Sequence, residues 1–359
     1  MFNNLLRENI RNLKAYEVKE METIAKLDAN ENNNVSYLLN EELAKAIADL
    51  KINQYPDSDS TALRGILGDK LALSPEELMV ACGSDQLISI IVNSFVGEGD
   101  KILTPVPTFG MYKLVAGIAG GQTVEMEMGE DFLLDYSAFI DLMERERPKI
   151  VFLTNPNNPT GGTMAREEII RIIKLAKGIV VVDEAYYEFY GESVLDLIND
   201  FPNLIVLRTL SKAYGLAGAR IGYAAACQEL MEILYRVKPP YNVANLSQLA
   251  ARVCLDNEEI MTRSVREIIK ERDKLILELR KMDKVKVFDS QANFILCQLK
   301  GAREVYDFLL ENKVLVRYFN DKYLENCLRI SIGKAKENQL LLNLLKEALD
   351  TGKLGEMGD

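Results

Sequence analysis

Between residues 101 and 226 the chain repeats one pattern: four to six apolar residues that stop at a polar cluster. Runs at 150–153 and 179–182 carry it in full, and 101–104, 122–126, 205–208 and 221–226 read as further short strands. Apolar on both sides, such strands leave no face for water. They predict an α/β fold with a largely parallel central sheet and helices on both faces. Helical patterns at 41–50, 63–71, 85–96 and 109–119 supply part of that cover. Ligands of such sheets bind in the crevice beyond the carboxyl ends of the strands, so the polar residues after each run are the ones to weigh.

After about residue 245 the pattern changes. Helices at 246–255 and 258–282 precede strands at 285–288, 294–298, 314–317 and 327–332. A helix at 302–311 separates the second and third strands, and one at 336–349 closes the unit. This order predicts a smaller α+β domain. The expected division is an N-terminal arm over 1–32, a large domain over 33–245 and a small domain over 246–359.

The chain contains no histidine. That excludes a Ser-His-Asp triad, a Cys-His pair and an H-E-x-x-H zinc site. A Lys, Tyr, Cys, carboxylate or cofactor must move any protons. The balance of 43 basic against 54 acidic residues, a net charge of −11, argues against a nucleic-acid partner. Five scattered cysteines without C-x-x-C spacing argue against a disulfide framework or a structural metal, and no metal is expected. The first residues, MFNNLLRENIRNL, lack the apolar core of a signal peptide, and no run approaches the ~18 apolar residues of a membrane span. A reduced, cytoplasmic compartment without membrane contact is the expectation.

Four segments stand at strand ends or helix starts. They are Cys82-Gly-Ser-Asp85, Asn155-Pro-Asn-Asn-Pro-Thr-Gly161, Asp183-Glu-Ala-Tyr186 and Thr209-Leu-Ser-Lys-Ala-Tyr-Gly-Leu-Ala-Gly-Ala-Arg220. Alone, each reads more simply as a turn, a cap or an exposed lysine. Jointly they meet the needs of pyridoxal 5′-phosphate (PLP). Its aldehyde calls for an amine made nucleophilic by desolvation, and Lys212 is the candidate. Its ring nitrogen calls for a buried carboxylate, which points to Asp183. Its phosphate calls for amides at a helix start and a bidentate cation: Ser84 and Asp85, the polar Thr209 and Ser211, and Arg220. Asn158 and Tyr186 suit the ring oxygen, and Phe109 suits the ring face.

With these motifs the sequence resembles the fold-type I PLP-dependent aminotransferases. The likeness rests on N-P-x-N-P-T-G ending at Gly161, D-E-A-Y from Asp183 and S-K-x-x-x-L-A-G-x-R from Ser211. Within that superfamily it looks most like the histidinol-phosphate branch. That likeness rests on residues 7–16, 26–32, Gln54-Tyr-Pro-Asp57, Pro107-Thr-Phe-Gly-Met-Tyr112 and Leu328-Arg-Ile-Ser-Ile-Gly333. The resemblance implies amino-group exchange between histidinol phosphate and 2-oxoglutarate, giving glutamate, by ping-pong turnover in histidine biosynthesis. It implies a homodimer with shared active sites, in which Tyr55 reaches the partner's cofactor phosphate. It also implies that Arg329 and Arg317 hold the substrate's anionic group and that Tyr16 and Asn30 fold over the substrate. A threonine-phosphate decarboxylase or an aromatic- or aspartate-type aminotransferase remains an alternative. A non-catalytic regulator on the same fold is disfavoured by the complete set Lys212, Asp183, Arg220 and Asn158.

Overall fold

The computed structural model describes residues 2, 5–11, 13, 21–35 and 40–350. In chain order the strands are β1 (Ala25–Leu27), β2 (Leu78–Cys82), β3 (Lys101–Val106), β4 (Gln122–Glu127), β5 (Ile150–Thr154) and β6 (Ile179–Asp183). They continue with β7 (Leu204–Thr209), β8 (Ile221–Ala226), β9 (Lys286–Val287), β10 (Phe294–Gln298), β11 (Val314–Tyr318) and β12 (Cys327–Ser331). A seven-stranded sheet runs β2-β8-β7-β6-β5-β3-β4, and a five-stranded sheet runs β1-β11-β12-β10-β9. Among the described residues no helix is long and apolar enough to cross a membrane.

The large sheet is parallel except for β8, which is antiparallel to both β2 and β7. The expected α/β architecture with a smaller mixed unit is therefore present. Several elements lie beyond the sequence expectation. Ala25–Leu27, within the predicted arm, pairs in parallel with β11 and completes the small sheet. Three residues carry too little periodicity to announce a strand; pairing with residues 314–316 makes it one. Strand β2 is masked in the sequence, because its apolar residues run almost straight into the helix Gly83–Phe95. The helices Tyr136–Glu146 and Arg166–Leu175 are also additions, and each buries one apolar stripe against the sheet.

Side chains of a strand alternate between faces. Val80, Leu103, Val151, Leu153, Val180, Val182 and Val206 face one hydrophobic cluster. Met79, Ile102, Phe152, Val181, Ile205 and Leu207 face the other. This parity carries past the strand ends. Asp183 comes two residues after Val181 and meets Tyr112, which packs with Phe152 on that second face. Glu184 and Arg208 come two residues after Val182 and Val206 and meet on the opposite face.

There the Glu184 carboxylate accepts from Arg208 Nε at 3.0 Å, from the Ser193 hydroxyl at 2.7 Å and from Val194 N–H at 2.9 Å. The Arg208 guanidinium lies 3.6 Å from the Tyr187 ring centroid, and both charged side chains are under 5% exposed. This pair ties β6 to β7 just where each leaves the sheet. Breaking a buried pair strands an uncompensated charge, at a cost of ~3–5 kcal/mol. Arg208→Met should lower unfolding stability by about that amount in denaturant titrations, and adding Glu184→Gln should restore part of it. A single mutant within ~0.5 kcal/mol of the parent would show that the pair is not a structural tie.

Candidate active site

The crevice lies where β5, β6 and β7 end. Their register pairs Thr154 with Asp183 and Asp183 with Leu207, so β5 and β6 end level and β7 runs on two residues to Thr209. Asp183 is buried. Its Oδ2 accepts from the Tyr112 hydroxyl at 2.7 Å and its Oδ1 from Ala185 N–H at 3.1 Å. Burial raises its pKa to about 6, against the two hydrogen bonds that favour the ionised form; Asp85 and Glu184 push it further up.

Lys212 comes after β7. Its Nζ donates to the Ala29 carbonyl at 2.9 Å. Burial lowers its pKa to about 8, and the cations Arg329 and Arg220 lower it too, against Glu31 and Asp85. An amine in this condition is partly neutral near physiological pH, which makes it a nucleophile and a base. Within the same loop, the Thr209 hydroxyl accepts from Ser211 N–H at 3.1 Å and donates to the Ile221 carbonyl at 3.1 Å, so both residues are held against β8.

The helix Gly83–Phe95 starts beside this loop. Gly83 has φ +77°, and a Cβ there would stand 2.7 Å from Arg220 Nη2. A Cβ on Gly222 would stand 2.6 Å from Ser84 N. Bare backbone is thus required on both sides of the helix start, leaving a cradle of amides, Ser84 and Asp85 among them, next to a guanidinium. Arg220 pairs with the Asp85 carboxylate at 2.9 Å, both side chains being over 40% exposed. Such an exposed pair is weakly held, and a dianion at the helix start could displace it.

The remaining predicted residues fall into two groups. Arg329 on β12 donates to Asn158 Oδ1 and to the Asp28 carbonyl, both at 2.5 Å, with its guanidinium 5.4 Å from the Phe294 ring. Arg317 on β11 is its register partner. Phe109 is half-buried and meets Tyr112 edge-on at 5.7 Å. The Tyr186 hydroxyl accepts from Asn30 Nδ2 at 2.9 Å. Asn30 itself is buried with φ 55°; its amide oxygen accepts from the Ser331 hydroxyl, and Asn293 Nδ2 donates to its carbonyl. Its side chain is therefore engaged with Tyr186 and Ser331. Tyr55 stands away from this group, 83% exposed and stacked on Tyr241 at 4.8 Å. Tyr16 lies outside the described residues.

Sequence reasoning misses Tyr112, Thr154, Asn293 and Ser331. Tyr112 sits in an apolar helix and reads as core. The available signal is Thr154 and Asp183 at matching strand ends, two buried polar groups that need a common donor.

The cradle, the buried carboxylate and the depressed amine are the features that PLP requires, so the residues present fit it. A family model described as aminotransferase class I and II matches residues 22–345. The chain is 44% identical over 354 residues to the histidinol-phosphate aminotransferase of Caldanaerobacter subterraneus subsp. tengcongensis, covering 97% of this chain and 100% of that protein. It is 40% identical to the enzyme of the same name from Ruminiclostridium cellulolyticum, covering 96% and 98%. Among solved structures, histidinol-phosphate aminotransferase from Sinorhizobium meliloti in complex with pyridoxal-5′-phosphate superposes with a TM-score of 0.86 at 25% identity, covering 92% of each chain. L-threonine-O-3-phosphate decarboxylase from Porphyromonas gingivalis gives 0.79 at 25% identity, covering 91% and 99%.

A lysine whose folded pKa is depressed destabilises the fold while it is charged. Below pH 8 the cost is fully present. Between about pH 8 and the ordinary 10.5 the native state sheds its proton first and stability climbs. Lys212→Met should therefore stabilise the cofactor-free protein at pH 7 by up to ~3 kcal/mol. That gap should close across the same window in thermal or urea melts. A gap independent of pH would refute a buried amine.

Proposed function

Because the chain belongs to the class I and II aminotransferases, we propose that it moves an amino group from histidinol phosphate to 2-oxoglutarate, yielding imidazole-acetol phosphate and glutamate in histidine biosynthesis. The reaction class is carried by the depressed amine of Lys212 after β7 and the buried Asp183 at the end of the neighbouring β6. The substrate assignment is supported by near-complete coverage of relatives bearing that name.

Pyridoxal 5′-phosphate, when bound, supplies an aldehyde that takes up an amino group and a ring that draws electrons from the neighbouring carbon. Ser84, Asp85, Thr209, Ser211 and Arg220 would hold its phosphate, Asp183 its ring nitrogen, Asn158 and Tyr186 its ring oxygen and Phe109 its face. Nζ of Lys212 takes the proton from the substrate carbon bearing the amino group, since a chain without histidine offers no imidazole for it. Arg329, assisted by Arg317, binds the substrate anion; a planar guanidinium pairs with phosphate or carboxylate alike, so one residue serves both substrates. Tyr16 and Asn30 close the substrate side.

A homodimer is part of this reading. Asn245 Nδ2 donates to the Lys51 and Gln54 carbonyls, which gathers Ile52, Tyr55, Tyr241 and Leu246, each at least 48% exposed, on one surface. Exposed apolar residues grouped in this way mark an interaction site, and Tyr55 would reach the partner's cofactor phosphate from it. The division at residues 32 and 245 remains a proposal, with β1 lent by the arm to the small sheet. A cytoplasmic location is supported by five cysteines that all remain free.

Two measurements test this. The loaded protein, titrated with histidinol phosphate, should lose its aldehyde absorbance and regain it with 2-oxoglutarate. Carbon dioxide released from phosphothreonine would favour the decarboxylase reading, which the Porphyromonas likeness keeps in view, and conversion by aspartate or tyrosine alone would displace the substrate. For the dimer, Tyr55→Ala and Lys212→Ala should each be inactive. Dissociated and reassociated together they should recover activity, because each heterodimer then has one intact site. No recovery in a verified heterodimer would exclude shared sites.

A further inference from the structure

Asp183 ends a row of hydroxyl groups. Thr108 Oγ1 lies 2.8 Å from Asn157 Oδ1 and 3.1 Å from Thr154 Oγ1. Thr154 Oγ1 lies 2.9 Å from the Tyr112 hydroxyl, which lies 2.7 Å from Asp183 Oδ2. These are four oxygen–oxygen contacts, and each needs one hydrogen, but the three hydroxyls carry only three. Asn157 cannot supply the fourth. Its Nδ2 donates to the Pro107 carbonyl at 3.0 Å and to Thr160 Oγ1 at 2.9 Å, which turns its oxygen toward Thr108 as a pure acceptor.

With Asp183 ionised, one contact in this row, buried from Asp183 to Thr154 and half-buried at Thr108, therefore holds two facing lone pairs. With Asp183 protonated, every contact is made, each hydrogen pointing from Asp183 toward Asn157. Buried polar rows gain when complete and are costly when one member is unsatisfied.

We propose that the row Tyr112–Thr154–Thr108 favours the neutral acid form of Asp183 in the cofactor-free protein, and that this neutral acid delivers its own proton to the ring nitrogen of the bound cofactor. In that transfer the O–H bond of Asp183 breaks and an N–H bond forms on the pyridine ring. The three hydroxyls then reverse so that Tyr112 donates to the new carboxylate, as in its 2.7 Å contact with Oδ2, and one contact opens at the far end of the row, between Thr108 and Asn157. Tyr112, Thr154 and Thr108 are positioning residues. The charged groups that act on Asp183 are Asp85, paired with Arg220, and Glu184, paired with Arg208; Tyr112 and Tyr186 are the neutral titratable groups beside it. Burial holds Tyr112 well above its ordinary pKa, so it stays a hydroxyl throughout. The destination of the proton rests on the PLP reading; the row does not.

Infrared difference spectra of the full-length chain, stripped and loaded, read this directly, with Asp183→Asn identifying the band. The stripped protein should show a carboxylic-acid band that titrates near pH 6, and the loaded protein should lack it. Thr154→Val or Thr108→Val shortens the row so that hydrogens and contacts match with Asp183 ionised. Each should lower the titration midpoint by about one pH unit, the worth of one net hydrogen bond, and Thr154→Ser should restore it. Thr108 does not touch Asp183, so its effect separates the row from local packing. Wild-type midpoints in both valine variants, or an acid band that survives loading, overturn the proposal. Band shifts in a protein that ignores histidinol phosphate leave it standing and reject the substrate assignment instead.

Discussion

A carboxylate taken out of water needs a partner, and this fold buries two in succession. Strand alternation sends Asp183 and Glu184 to opposite faces of the large sheet. Glu184 meets a guanidinium and remains a structural charge. Asp183 meets one hydroxyl and one amide, with no cation in contact among the described residues, so it is held as a group that can gain or lose a proton. The different roles of two adjacent acids come from this parity. Phe152 and Tyr112 build the apolar wall on one side, and Arg208 and Ser193 build the polar knot on the other.

The amine is tuned by the same physics with the opposite sign. Burial penalises the charged form, and for a base this lowers the pKa. Arg329 and Arg220 add to the effect, so the two guanidinium groups suited to anionic ligands also keep Lys212 partly neutral. Arg329 arrives from β12 of the small sheet, whereas Lys212 comes after β7 of the large one. The short strand β1 leads into Asp28, Ala29 and Asn30, and these three touch Arg329, Lys212 and Tyr186 respectively. A segment of six residues, two of them in the core, thus connects the two sheets at the crevice.

Much of the site is legible in the sequence because its chemistry sits in short motifs at strand ends. Lys212, Asp183, Asn158 and Tyr186 each lie within a few residues of the end of an apolar run, and Arg220 immediately precedes one. The structure gathers them. The amide of Asn30 is engaged with Tyr186 and Ser331, and the second contact, spanning 301 residues, is one that no local motif announces. Tyr112 is invisible for the converse reason. A tyrosine in an apolar helix reads as packing until a buried acid is found against its hydroxyl.

From sequence alone came the class of fold, the parallel run of strands and the set of candidate reactive groups, because hydrophobic period and strand-end polarity are local properties of the chain. Tertiary structure alone decided that β8 runs against its neighbours, that Ala25–Leu27 is a strand, and that three hydroxyls line up behind Asp183. Those features depend on distances between residues far apart in the chain. Hydrogen-bond partnership and the loss of solvent, which set whether a buried acid keeps its proton, exist only once the chain has closed around it.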